Sequence, residues 1–238
     1  MKKLLTSSLF VLFIVNLGLA QRVIQAKEIF DKVERKQAVS YENVTVEGDL
    51  DFTSLSNREL VKEGAWGGSE TYLATVQVPM TFRNCTFRGK VLGYRTEQRL
   101  GGLVNATSKL FNADFNEALT FENCTFDDDA AFKYSRVRQR ATFTGCRFRE
   151  AANFKYTQFK DASDFSNCAF RTYADFKYTN FNESTAFQNS RFDGTADFKY
   201  TKFGERVSFR SARFDNVADF KYTHLPNGSD FDNTVFDG

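Results

Sequence analysis

From Leu110 to Phe236 large apolar residues recur at alternating spacings of five and six without a slip, giving a 22-residue period with four apolar positions in it. All of these positions except Leu110, Val137 and Leu225 are phenylalanine. A fixed period of roughly 20 to 50 residues marks a solenoid, whose units bury their apolar faces only by stacking on neighbours. An amphipathic helix would space its apolar residues by three and four, and a half-buried strand by two, so neither alone explains five and six. Each unit needs corners.

Two residues before each apolar centre stands a small side chain: Ala130, Ala152, Ala174, Ala196 and Ala218 in one register, and Cys124, Cys146, Cys168, Ser190, Ala212 and Thr234 in another. In extended backbone, residues i and i−2 point the same way, so a large centre and its small partner both face inward. Blocks such as ADFKYTNFNESTAFQNSRFDGT at 174–195 make the chain resemble the pentapeptide-repeat family, in a variant with Phe at the centre and an extra residue at every second corner. The resemblance covers most of the chain and implies an all-β fold, a right-handed, four-sided parallel β-helix with one short segment per side. It implies little about function, because one scaffold can host unrelated tasks. Members of that family that mimic DNA and inhibit topoisomerases are cytoplasmic and strongly acidic; this chain departs from them in both respects.

Carried backwards, the register finds Thr81-Phe82-Arg83-Asn84-Cys85-Thr86-Phe87, echoed at Thr120–Phe126, and then Val39, Val44, Leu50 and Leu55, spaced five, six and five. The reading gives about eight coils over residues 39–238 and a rod about 38 Å long at the usual strand spacing. Thr71 would fill an apolar slot of the second coil. Insertions near 56–70 and 88–109 should leave the rod at the same corner of adjacent coils and form one non-repetitive surface. It would carry Trp66, Tyr72, Tyr94, Arg95 and Arg99, with Gly67, Gly68, Gly101 and Gly102 as turns.

Residues 1–20, with Lys2, Lys3, an apolar run from Leu9 to Leu17 and the small residues before Gln21, read as a secretory signal peptide. No cysteine follows the expected cut, which argues against a lipid anchor, and no later apolar run is long enough to span a membrane. The 32 basic residues lose two with the leader and then equal the 30 acidic ones. That balance, and export to the periplasm or beyond, speak against a nucleic-acid partner. Within 21–38, Ala26 to Lys36 reads as a short amphipathic helix whose Ile29, Phe30 and Val33 cap the first coil. The last coil has no such cap, so a two-fold homodimer through the C-terminal coil, or docking of a partner there, is expected.

Cys85, Cys124, Cys146 and Cys168 share one inward slot on successive coils, which marks them as free, buried core fillers rather than disulfide partners. Neither that linear column nor the lone His224 makes a metal site, and no Ser-His-Asp, Cys-His or phosphate-loop arrangement stands out. No cofactor is expected, and Asp127, Asp128 and Asp129 read as solvated turn residues. The tripeptide Phe-Lys-Tyr recurs every 22 residues. It aligns Lys133, Lys155, Lys177, Lys199 and Lys221 in one outward column and Tyr134, Tyr156, Tyr178, Tyr200 and Tyr222 in the next, with Asn153, Asp175, Asp197 and Asp219 before the phenylalanines. As structure, the columns would stabilise one face by stacking and charge offset. As function, they form an aromatic, cationic strip for a glycan of the cell envelope or a protein. Asn123, Asn167, Asn189 and Asn233 read as left-handed turn residues. The expected function is therefore an exported, non-enzymatic binding scaffold. The alternatives are a purely structural or self-assembling solenoid and a carbohydrate-active enzyme using the 56–109 surface.

Overall fold

The computed structural model describes residues 21–63, 69–98 and 108–238. Residues 1–20, expected to be a leader, and Trp66, Arg99 and the four loop glycines lie outside them. The chain winds into a four-sided parallel β-helix. Its four sheets run along the rod, and their partners from the third coil onward lie 22 residues apart, as in Ala130↔Ala152↔Ala174↔Ala196↔Ala218. Taking the third coil as the example, face one holds Leu119–Glu122, face two Thr125–Phe126, face three Ala130–Ala131 and face four Arg136–Val137.

Each face sends one ring into the core, and rings on successive coils stack. The centroids of Phe143 and Phe165 are 4.9 Å apart on face one, Phe148 and Phe170 4.9 Å on face two, Phe154 and Phe176 5.1 Å on face three, and Phe159 and Phe181 4.9 Å on face four. Rings of different faces meet edge to face, as Phe165 and Phe176 do at 5.4 Å and 85°. Both geometries suit the aromatic quadrupole and add about 0.5–1.5 kcal/mol per pair beyond area burial. The small residues two places earlier leave room for the rings, and Ala152, Cys146 and Ala212 are wholly buried.

The N-terminal coils depart from the sequence expectation in two places. In the first coil the aromatic columns take Tyr41 and Val46, paired in register with Phe82 and Phe87, while Val39 and Leu50 pair with Met80 and Val91 in the small-residue slots. The expected series Val39, Val44, Leu50 and Leu55 is thus displaced by two residues. Both columns share the five-six rhythm, and large aliphatics fill the narrower one near this end, so spacing alone could not separate them. Leu110 likewise leaves the core series: it pairs with Thr71 and Thr96 in an extension of face four, half-buried, and the regular column starts at Phe115.

That extension is built from two hairpins. Glu59–Lys62 pairs antiparallel with Glu70–Val76, and Tyr94–Gln98 pairs antiparallel with Ser108–Phe115, while the two long strands run parallel to each other. Both insertions therefore leave face four on adjacent coils. The regular face-three ladder continues through Val91–Leu92 before the second departs. Gly93 stands in the face-three column where other coils have Phe. The ring of Phe115 fills the space, 5.4 Å from Phe52 and 5.8 Å from Phe132, and a Cβ on Gly93 would lie 3.4 Å from it.

At the N-terminal end a strand, Arg22–Gln25, pairs with Val44–Glu47 and leads into the helix Ala26–Glu34, whose Ile29 and Val33 are buried against the first coil. Glu28 accepts the Gln25 backbone N–H at 3.1 Å and so closes the helix start. At the other end Phe236 is 52% exposed, although its ring still stacks on Phe214. No helix among the described residues is long and apolar enough to cross a membrane.

Candidate binding groove

The corner between faces three and four is a four-residue turn. Thr157, Thr179 and Thr201 each donate their backbone N–H to the Phe carbonyl three residues back at 3.0 Å, and the third residue of each turn is a tyrosine in the left-handed region. Tyr134, Tyr156, Tyr178, Tyr200 and Tyr222 have φ values of 62°, 60°, 58°, 58° and 61°. A positive φ at this place makes the turn type II, which ordinarily takes Gly or Asn there. The opposite corner follows that rule at Asn123, Asn167, Asn189 and Asn233, with φ between 52° and 59°, and at Gly145, with Ser211 at 56° the exception in the column. The Asn column is turn chemistry, as its sequence suggested. The Tyr column occupies the same strained conformation with a bulky side chain, which the local backbone does not ask for.

Other groups hold the corner firmly. Asp175, Asp197 and Asp219 accept the backbone N–H of Lys177, Lys199 and Lys221 at 3.0, 2.9 and 3.0 Å, and Asn153 does the same for Lys155 at 3.1 Å. Beneath them Thr157, Thr179, Thr201 and Thr223 donate their hydroxyls to the Phe carbonyls of the preceding coil at 2.6–2.7 Å. Burial pushes the Asp175 carboxyl above its ordinary pKa, whereas the Lys221 N–H leads in drawing the more open Asp219 below it.

The five tyrosines form a continuous stack. Centroid separations are 5.0, 4.8, 4.7 and 4.8 Å, with the first three pairs within 6° of parallel. Lys133, Lys155, Lys177 and Lys221 lay their ammonium groups 4.9, 5.5, 5.5 and 5.0 Å from the ring that follows each in sequence. Lys199 differs: it pairs with Asp197 at 3.5 Å and Asp219 at 3.2 Å, and the Asp219 hydrogen bond leads in raising its pKa. Ring faces are thus covered by neighbouring rings and ammonium groups, and the ladder presents edges and hydroxyls. Alongside it runs a groove of about 470 Å³, walled by Tyr134, Tyr156, Tyr178 and Tyr200 and, across Thr179, by Gln158, Asn180 and Lys202 of face four. That volume lies within the usual range for ligand clefts.

The residues expected on the insertion surface separate. Tyr94 joins the ladder: its ring lies 5.7 Å from Tyr134 at a 59° tilt, and Lys133 sits 4.7 Å above it. Tyr72 and Arg95 instead pack with Phe111, Tyr72 stacking on its ring at 5.1 Å and the Arg95 guanidinium lying 4.0 Å from its centroid. Arg95 also pairs with Asp51 at 3.2 Å and with Glu97. This second cluster is internally satisfied and anchors the hairpins to the rod. Sequence reasoning missed Gln158, Asn180 and Lys202, the far wall. Their two-residue offset from the tyrosines in every repeat was the available signal.

Elsewhere the four cysteines are free and buried. Cys124, Cys146 and Cys168 donate to the carbonyls of Phe82, Phe121 and Phe143 at 3.4, 3.4 and 2.8 Å, the role that Ser190 plays toward Phe165 at 2.6 Å. The Cys124 thiol is pushed up to about 12, first by its hydrogen bond with Cys146, and burial raises Cys146 and Cys168. Among the described residues no group of three or more His, Cys, Asp or Glu side chains is arranged to hold a metal ion.

Comparison with curated proteins and with solved structures returned no match. The family model described as pentapeptide repeats (9 copies) matches residues 110–158, 154–202 and 198–238, over half of the chain, and coincides with the coils that carry the tyrosine ladder. With the four parallel sheets and the phenylalanine columns, that match makes the chain a member of the pentapeptide-repeat family.

Proposed function

We propose that this protein is an exported, non-enzymatic scaffold that holds an extended glycan of the cell envelope in the groove beside the tyrosine ladder. The observation that carries the reading is the five-fold use of tyrosine at a left-handed turn position, where the opposite corner of the same rod uses asparagine. A backbone strain of about 1–3 kcal/mol per site persists where surroundings impose it, and repeated strain of this kind points to a task. The groove runs along the rod and repeats its tyrosine wall at each coil, which suits a linear polymer better than a compact ligand. The leader features of residues 1–20 support export. The test replaces Tyr156, Tyr178 and Tyr200 together by Asn, which keeps the turn geometry. Retention of glycan from a cell-envelope extract should fall at least about tenfold, with the far-UV circular dichroism spectrum unchanged. Full retention by the folded variant would refute the reading.

A further inference from the structure

The near-even charge balance of the whole chain, 32 basic against 30 acidic residues, conceals a segregated one. On face four Arg138 and Lys160 follow each other in one column, since Lys160 donates its backbone N–H to Val137 just as Arg138 does to Phe115, and Lys202 lines the groove. None of these three, nor Lys155 or Lys177 on the ladder, has an ion-pair partner among the described residues, whereas arginines on face two such as Arg191 and Arg213 each pair with two aspartates. The carboxylates of this region lie underneath the cations: Asp114, Asp175 and Asp197 are 5–7% exposed and bonded to backbone N–H groups. The outward field over the groove is therefore positive. Less buried acid stands at Asp219, which is paired with Lys199, and at the far border of face four, where Asp161 and Glu183 are half-buried and Glu205 is exposed.

We propose that the polymer held here is an acidic polysaccharide, its carboxylates paired with the cations of face four and the ladder while its hydroxyls bond to the tyrosine hydroxyls and the Gln158 and Asn180 amides. The proposal rests on the groove reading above. Two observations favour a polysaccharide over other polyanions. Single-stranded nucleic acid is held largely by bases stacking on open aromatic faces, and these faces are covered by rings 4.7–5.0 Å away. An acidic peptide strand would advance about 3.3 Å per residue, out of step with groups that recur once per coil. A sugar residue in an extended chain is close to one coil step long.

The experiment measures binding of the purified protein to immobilised polygalacturonate, to neutral dextran and to single-stranded DNA of matched charge, at low and at raised salt. The same series is repeated with R138Q/K160Q/K202Q, two exposed positions and the half-buried Lys160, which leave the core and the tyrosines intact. Binding to polygalacturonate should exceed binding to dextran and DNA by about tenfold, and weaken about tenfold between roughly 50 mM and 0.3 M salt. The triple variant should lose a similar factor and most of that salt dependence. Salt-insensitive binding of dextran as tight as that of polygalacturonate would overturn the acidic preference and leave the groove reading standing. DNA bound as tightly as polygalacturonate would overturn the proposal in favour of a general polyanion site. Retention of none of the polymers would overturn the proposal and the groove reading together.

Discussion

At the scale of single residues, the tyrosines and threonines of one corner do opposite work. Thr179 is fully buried and donates its hydroxyl to Phe154 at 2.7 Å. Thr179→Val keeps the shape but removes the donor, and should cost about 1 kcal/mol in chemical denaturation, with no loss beyond about 2. Tyr178→Asn exchanges a stacked ring for a residue that accepts a left-handed backbone, so relief of strain and loss of stacking should nearly cancel. Its unfolding free energy should stay within about 1 kcal/mol of the parent. A loss of 3 would mean that the ladder is chiefly a structural brace. The buried thiols give a third expectation: held protonated, none should react with a disulfide reagent at about pH 8 in the native state, and four should react in denaturant. These residue roles were only partly legible. The 22-residue rhythm named the Phe, Cys, Asn and Tyr columns, but the positive φ of the tyrosines has no local sequence signal, because Asn and Gly mark such positions and Tyr does not.

At the scale of elements, the faces were readable and the hairpin form of the insertions was not. Alternating five and six spacing demands four short segments per coil, and side chains two apart on a short strand must share a side, so the repeat itself dictates the stacked sheets. Hairpins escape that logic. Glu59–Lys62 is exposed along its whole length, and Tyr94–Gln98 has no period to announce it. Their pairing to face four comes from register with strands far away in sequence. The absence of a side chain at Gly93 matters for the same reason: the vacancy is filled by Phe115, a residue 22 positions later on a neighbouring face. Charge along the corner between faces four and one is also a property of elements. Glu183 is raised above its ordinary pKa first by the charge of Glu205 on the next coil. Its folded value exceeds its unfolded one, so its charged form costs stability at neutral pH, and that cost fades as the pH falls through the raised value. Glu205→Gln should therefore raise the melting temperature at about pH 7 and shrink the gain the parent shows between about pH 7 and 5. An unchanged difference between the two pH values would show that the carboxylates do not interact.

At the scale of the whole molecule, the sequence total misled on charge, since counting 32 basic against 30 acidic residues says nothing of where each sign gathers. Position within the repeat carried that information: acids before the phenylalanines turn inward under the corner, and cations after them stay outside. The core depends on continuity along the rod. Phe165 touches rings above, below and across from it, and Phe165→Ala should cost about 3–5 kcal/mol and unfold its neighbours with it, measurable as one cooperative transition at lower denaturant. The same uniformity creates an ambiguity that the hairpins resolve. Coils three to seven are so alike that sliding one part of the rod past another by a full turn would keep almost every ring stacked on a ring. The two hairpins and the Phe115 plug occur once each, on adjacent turns, and fit only one alignment. They act as a key that sets where winding starts, so a chain stripped of both should still coil yet populate several mismatched threadings, seen as broadened amide resonances from a molecule of nearly native circular dichroism.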